Sequence, residues 1–98
     1  MLELNETNFQ SETASGLTLV DFYTRTCGPC RALSPVLEQL SGAKIVKVDV
    51  EANMGLGVEY GISSVPCIVF LRDGKEIQRL VGYQAKDTLQ GVIDKLSM

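Results

Sequence analysis

The stretch Leu17–Tyr23, Leu-Thr-Leu-Val-Asp-Phe-Tyr, does most to limit how this chain can fold. It is rich in β-formers and nearly all apolar, the pattern of a central strand buried on both faces. Such a strand needs a covering layer on each side. With 98 residues, room for one domain and no more, the chain must supply both layers from its own helices.

The segments around that strand supply them. Cys27-Gly28-Pro29-Cys30 opens a helical segment running to about Ser41, with Leu33, Val36, Leu37 and Leu40 at helical spacing and Gly42 as its stop. Pro35 lies inside and is expected to kink it. Upstream, Thr7-Asn8-Phe9-Gln10 reads as a capping box, with Thr7 as N-cap, Gln10 reaching back, and a short helix stopping at Gly16. Lys44–Val50 is a predicted strand with Val46, Val48 and Val50 on one face, and Ala52–Tyr60 is a weak helix thinned by Gly55 and Gly57. Cys67–Leu71 and Lys75 to about Val81 are strands joined through Asp73-Gly74, a strong two-residue hairpin signal. Leu89, Val92, Ile93 and Leu96 mark a last helix. The order is read as β-α-β-α-β-α-β-β-α. Alternation in the first half predicts parallel strands with crossover helices, and the last two strands form an antiparallel hairpin. The expected fold is α/β, a three-layer sandwich around a mixed central sheet, with residues 1–98 as a single domain.

Composition excludes several functions. There is no His, so no Ser-His-Asp or Cys-His pair and no His metal ligand. Three Cys are too few for a Cys₄ zinc site or for the disulfide framework of a small secreted domain. The net charge is −3 and the Lys and Arg residues are scattered, which argues against nucleic acid. No signal peptide is visible at Met1-Leu2-Glu3-Leu4, and no apolar run approaches a membrane span. A soluble, cytoplasmic protein with reduced thiols is expected.

The chemistry is carried by Cys27 and Cys30. A metal site cannot be completed with sulfur and nitrogen, since only Cys67 remains. A structural bridge over two residues closes a very small loop and removes little unfolded-state entropy. A dithiol that cycles is left, and Cys-X-X-Cys beside a βαβ pattern is the expected redox placement. Cys27 at a helix N-terminus would have its thiolate stabilised by free N–H groups and the dipole, making it the nucleophile. Cys30, one turn inside, would attack the mixed disulfide intramolecularly. Pro29 fits the first turn, where its missing N–H costs nothing.

The chain resembles thioredoxins over essentially its whole length. The matching marks are Val20-Asp21-Phe22, Cys27-Gly28-Pro29-Cys30, Pro35, Lys47-Val48-Asp49-Val50, Tyr60-Gly61-Ile62, Val65-Pro66, Asp73-Gly74 and Val81-Gly82. The resemblance implies the thioredoxin fold and reduction of protein disulfides. It implies that Asp21 lies behind Cys30 and accepts its proton, a role that burial of an Asp would suit by raising its pKa; a structural acid is the alternative. Lys47 is similar to the lysine that approaches this Asp, or else is an exposed strand lysine. Val65-Pro66 resembles the cis-peptide segment opposite the active pair, whose backbone pairs with extended substrate. Thr26, Gly28, Pro29, Val81 and Gly82 would complete the substrate surface.

Departures from the family pattern bear on specificity. Thr26 stands directly before the first Cys and Tyr23 three residues earlier, both positions where thioredoxins usually carry Trp. Tyr83 follows Val81-Gly82, where a small residue is common, and is either a replacement aromatic surface at the groove or an exposed loop residue. Arg25 would favour the Cys27 thiolate as a nearby cation, or is a solvated charge. Cys67 follows Pro66, where Thr is common, and is a small wall residue or a third reactive thiol.

The leading expectation is a protein-disulfide reductase acting on disulfide-containing client proteins. It would be recharged by a thioredoxin reductase, since the chain has no nucleotide-binding fingerprint and calls for no cofactor of its own. A monomer is expected, with no membrane or nucleic-acid partner. The alternatives are a specialised reductase with few clients and a binding subunit of a larger assembly in which the redox pair is incidental.

Overall fold

The computed structural model describes residues 1–98. Its elements follow the expected order: β1 (Leu2–Leu4), α1 (Phe9–Glu12), β2 (Leu17–Tyr23), α2 (Gly28–Leu37), β3 (Lys44–Asp49), α3 (Met54–Glu59), β4 (Cys67–Arg72), β5 (Lys75–Val81) and α4 (Lys86–Leu96). The sheet order is β1-β3-β2-β4-β5, with β1, β3 and β2 parallel and β4 and β5 antiparallel to their neighbours. The sheet is therefore mixed, as the alternation and the terminal hairpin required.

β2 is central, and its side chains alternate between two cores. Val20 and Phe22 join Val46, Val48, Val69 and Leu71 on the face covered by Phe9 of α1 and Leu56 of α3. Leu19 joins Ile68 and Phe70 on the other face, against Leu33 and Leu37 of α2 and Leu89 and Ile93 of α4. Phe22 is fully buried and its ring meets those of Phe9 and Tyr60 at centroid distances of 6.4 and 5.4 Å. The hairpin turns through Asp73 and Gly74 at φ of 51° and 83°, the doubly left-handed geometry that Asp-Gly favours. Asp73 also ties the hairpin to the start of β2, its Oδ1 accepting from the Gly16 amide at 2.8 Å.

Local boundaries differ from expectation for identifiable reasons. The capping box at Thr7–Gln10 does not form. Asn5 Oδ1 accepts from the Thr7 and Asn8 amides at 2.9 and 3.1 Å, and Asn8 Oδ1 accepts in return from the Asn5 amide at 2.8 Å. The reciprocal pair thus forms two residues earlier, between two Asn side chains. α1 is a single turn that ends before Thr13, whose hydroxyl donates to the Phe9 carbonyl, well short of Gly16. α2 runs through Pro35, whose nitrogen has no hydrogen for the Arg31 carbonyl, and ends at Leu37 rather than near Ser41. Beyond it the amides of Gln39 and Leu40 bond to Val36 and Leu37 carbonyls as tight turns.

Replacing Phe22 with Ala removes a fully buried ring at the junction of three aromatics. We expect a loss of about 3–5 kcal/mol in urea unfolding of the disulfide form. A loss under about 1 kcal/mol would mean that this face of the sheet is not close-packed.

Candidate active site

The site is built where β2 ends. The Val50 amide donates to the Tyr23 carbonyl at 3.0 Å, so β3 and β2 finish side by side. The chain then runs through Thr24–Thr26 to Cys27, which caps α2 with extended backbone at φ −92° and ψ 113°. The Cys27 Sγ accepts from the Cys30 amide at 3.1 Å. One of the otherwise unpaired N–H groups of the first turn of α2 is therefore aimed at this sulfur. Cys27 and Cys30 are disulfide-bonded with Cα atoms 5.2 Å apart. They differ in access: Cys27 is half-buried, while Cys30 is 3% exposed. Thr26, Gly28 and Pro29 are exposed around Cys27.

Val65 and Pro66 are joined by a cis peptide bond. The Val65 carbonyl oxygen lies 3.8 Å from the Cys27 Sγ. The Pro66 carbonyl accepts from the Gly82 amide at 2.8 Å, and Cys67 pairs with Val81 across the hairpin. Gly82 has φ of +92°, where a residue with a Cβ would be strained. These contacts bring Cys27, Val65, Pro66, Val81 and Gly82 to one edge of the molecule. Val81 is 57% exposed and Tyr83, one residue beyond Gly82, is 49% exposed.

Asp21 and Lys47 lie behind this edge. They are direct partners in the β2–β3 ladder, on the face that packs against α2. Asp21 is 1% exposed, and its Oδ1 has no hydrogen-bond partner. Burial pushes its carboxyl up to about 7, with the Lys47 charge pulling the other way. Lys47 lines a cleft of about 230 Å³ together with Cys30, Tyr23 and Arg25.

Three residues find their place here. The Arg25 Nε lies 3.2 Å from the Asp49 Oδ2, so its charge is balanced by a buried carboxylate and not left free to act on Cys27. Asp49 was legible only as part of a motif, and its pairing with Arg25 had no signal in the spacing. Cys67 is 2% exposed and burial pushes its thiol up. It is a core wall residue, not an accessible third thiol. Tyr23 donates its hydroxyl to the Glu3 carboxylate, a contact that no local pattern announced.

Known proteins agree with this geometry along the whole chain. The family model described as Thioredoxin matches residues 1–95. The chain belongs to the thioredoxin family. A thioredoxin of Chlamydia muridarum is 42% identical over 96 residues, covering 94% of each chain. A Staphylococcus epidermidis thioredoxin is 37% identical over 100 residues, covering 97% of this chain and 96% of its own. Among solved structures, a mutant thioredoxin from Halobacterium salinarum superposes with a TM-score of 0.92 at 32% identity, covering 99% of this chain and 90% of that one. The fold is the thioredoxin fold, and the Cys27–Cys30 pair makes the protein a dithiol–disulfide oxidoreductase, a protein-disulfide reductase. No helix is long and apolar enough to cross a membrane.

The environment of Asp21 has a consequence for stability. Its carboxyl titrates at an ordinary 3.8 when unfolded and at about 7 when folded. Between those values the folded state holds the proton more tightly, so stability falls as pH rises and levels off above 7. Asp21→Asn removes this dependence. Equilibrium unfolding of the disulfide form should give variant and parent similar stabilities near pH 4. Above pH 7 the variant should be more stable by on the order of 4 kcal/mol. A gap that does not grow with pH would contradict the assignment.

Proposed function

We propose that Cys27 is the nucleophile, Cys30 the resolving thiol and Asp21 the proton acceptor in a two-step reduction of client disulfides. The observation that carries this reading is the Cys30 amide donating to the Cys27 Sγ at the start of α2. A dipole end and a directed N–H favour negative charge on that sulfur. Its partial exposure admits a client, whereas buried Cys30 stays out of reach.

In the first step the Cys27 thiolate attacks one client sulfur. A Cys27–client mixed disulfide forms and the other client sulfur leaves as thiolate. In the second step Cys30 gives its proton to the Asp21 carboxylate and attacks the Cys27 sulfur. The Cys27–Cys30 bond forms, the mixed disulfide breaks, and the client is released as a dithiol after proton uptake. Two electrons pass to the client. A thioredoxin reductase, supplying two electrons and two protons, would return the pair to the dithiol.

Lys47 acts through Asp21 by its charge. The client would lie extended along Val65 and Pro66, with backbone pairing at Val65 and contacts from Thr26, Gly28, Pro29, Val81, Gly82 and Tyr83. Recognition by backbone and shape suits many clients. Thr26 and Tyr23, in place of the usual two Trp residues, favour a narrower client set, with Tyr83 offering aromatic surface from the other rim. We place the protein in the cytoplasm as a monomeric, single-domain electron carrier.

Reduction of insulin disulfides with dithiothreitol tests the scheme. Cys27→Ser is expected to fall to the uncatalysed rate. Cys30→Ser, reduced and then mixed with insulin after the dithiothreitol is removed, is expected to accumulate as a mixed disulfide with insulin through Cys27. Asp21→Asn should slow client release at neutral pH by on the order of 10²-fold. Full activity in Cys27→Ser, or trapping through Cys30 instead, would reverse the assigned roles.

A further inference from the structure

The sheet order β1-β3-β2 sets β3 between the strands that carry Glu3 and Tyr23. Glu3 pairs with Lys47, and Lys47 with Asp21, so the three stand in one row across the ladders. Tyr23 is two residues along β2 from Asp21 and shares its face. Its hydroxyl donates to the Glu3 carboxylate, so the side chain spans β3 from one neighbouring strand to the other. Lys47 rises from β3 within this span, and its Nζ lies 5.3 Å from the ring centroid, inside cation–π range.

The same ammonium makes no ion pair with Asp21. The ion pairs are Arg25–Asp49, Lys44–Glu12 and Arg79–Glu76. A lysine directly across a ladder from a buried carboxylate has a short path to it, yet Lys47 turns to the ring two residues further along.

We propose that Tyr23, fixed at its far end by Glu3, is a positioning residue that holds the Lys47 ammonium over its ring and withholds it from the Asp21 carboxylate. The inference rests on Asp21 being the proton acceptor for Cys30. An Asp21 closed into an ion pair would be held in its charged form and would take a proton poorly. With the ammonium at the ring, burial outweighs the Lys47 charge at Asp21. The other groups around Asp21 do not replace this control. Cys30 of α2 is the proton donor itself, and Arg31 lines the outer cleft, where its Nη1 donates to the Arg25 carbonyl. Arg25 and Asp49 balance each other at the strand ends. Cys67 of β4 is a buried thiol pushed toward its neutral form. The phenol hydroxyl that reaches Glu3 is a group a Trp at this position would lack.

A double-mutant cycle tests the proposal, read from the ¹³C shift of the Asp21 carboxyl during pH titration of the disulfide form. Neither active-site thiol ionises in that form and no turnover is needed, so the result is independent of the Asp21→Asn activity assay that bears on proton acceptance. Lys47→Met alone should raise the Asp21 midpoint. Tyr23→Leu alone should lower it by about one pH unit as the freed ammonium closes on the carboxylate. Tyr23→Phe, which keeps the ring and loses the Glu3 anchor, should lower it by less, and it serves if Tyr23→Leu does not fold. With Lys47→Met in place, neither Tyr23 variant should lower the midpoint. A drop of equal size in both backgrounds would mean that water, and not Lys47, reaches Asp21, and would overturn the proposal. An unchanged or raised midpoint in both Tyr23 variants alone would overturn it as well.

Discussion

Burial of β2 on both faces is the constraint from which the rest of the molecule follows. Because Val20 and Phe22 need cover on one side and Leu19 on the other, helices must lie on both faces of the sheet. Parallel pairing with β3 then requires a crossover, and α2 is that crossover. Its first turn must lie just past the end of β2. Cys27 is consequently delivered to a helix N-terminus, with the Cys30 amide pointing at its sulfur. The same double burial puts Asp21 out of water, four residues along β2 from its first residue and behind the helix that carries Cys30.

Two opposing demands meet at that strand. A carboxylate inside a packed layer weakens the fold at neutral pH, because the folded state prefers it protonated. A proton acceptor for a thiol needs that same affinity. Stability is given up at Asp21 and supplied elsewhere, by the close-packed Phe9, Phe22 and Tyr60 rings and by the hairpin locked through Asp73. Near the rim the Arg25 charge is paired with Asp49, and the Glu3 carboxylate accepts from the Tyr23 hydroxyl.

Much of this was legible in the sequence where a repeating physical requirement writes itself into residue order. The apolar run of β2, the helical spacing in α2 and α4, and Asp73-Gly74 each announce one structure. The pair Cys27 and Cys30 was legible because elimination of metal and framework roles left only redox chemistry. Signals failed where an interaction depends on partners distant in sequence or on interchangeable side chains. Asn5 and Asn8 make, in the turn before α1, the reciprocal bonds expected of Thr7 and Gln10, since any short side-chain acceptor can compete for such amides. Residues Leu2–Leu4 are too few to show a period, and β1 exists by pairing with β3. The Tyr23–Glu3 contact spans three strands and depends on a strand order that no local window contains. The cis bond before Pro66 was expected from resemblance to a family, not from composition.

We propose a division of labour between two sulfurs three residues apart, set by one N–H and by unequal burial. Alkylation of the reduced, folded protein with iodoacetamide at neutral pH, followed by mass-spectrometric localisation, tests it most directly. Rapid single labelling at Cys27 is expected, with Cys30 and Cys67 unmodified until the chain is unfolded. Labelling of Cys30 or Cys67 at a rate matching Cys27 would contradict it.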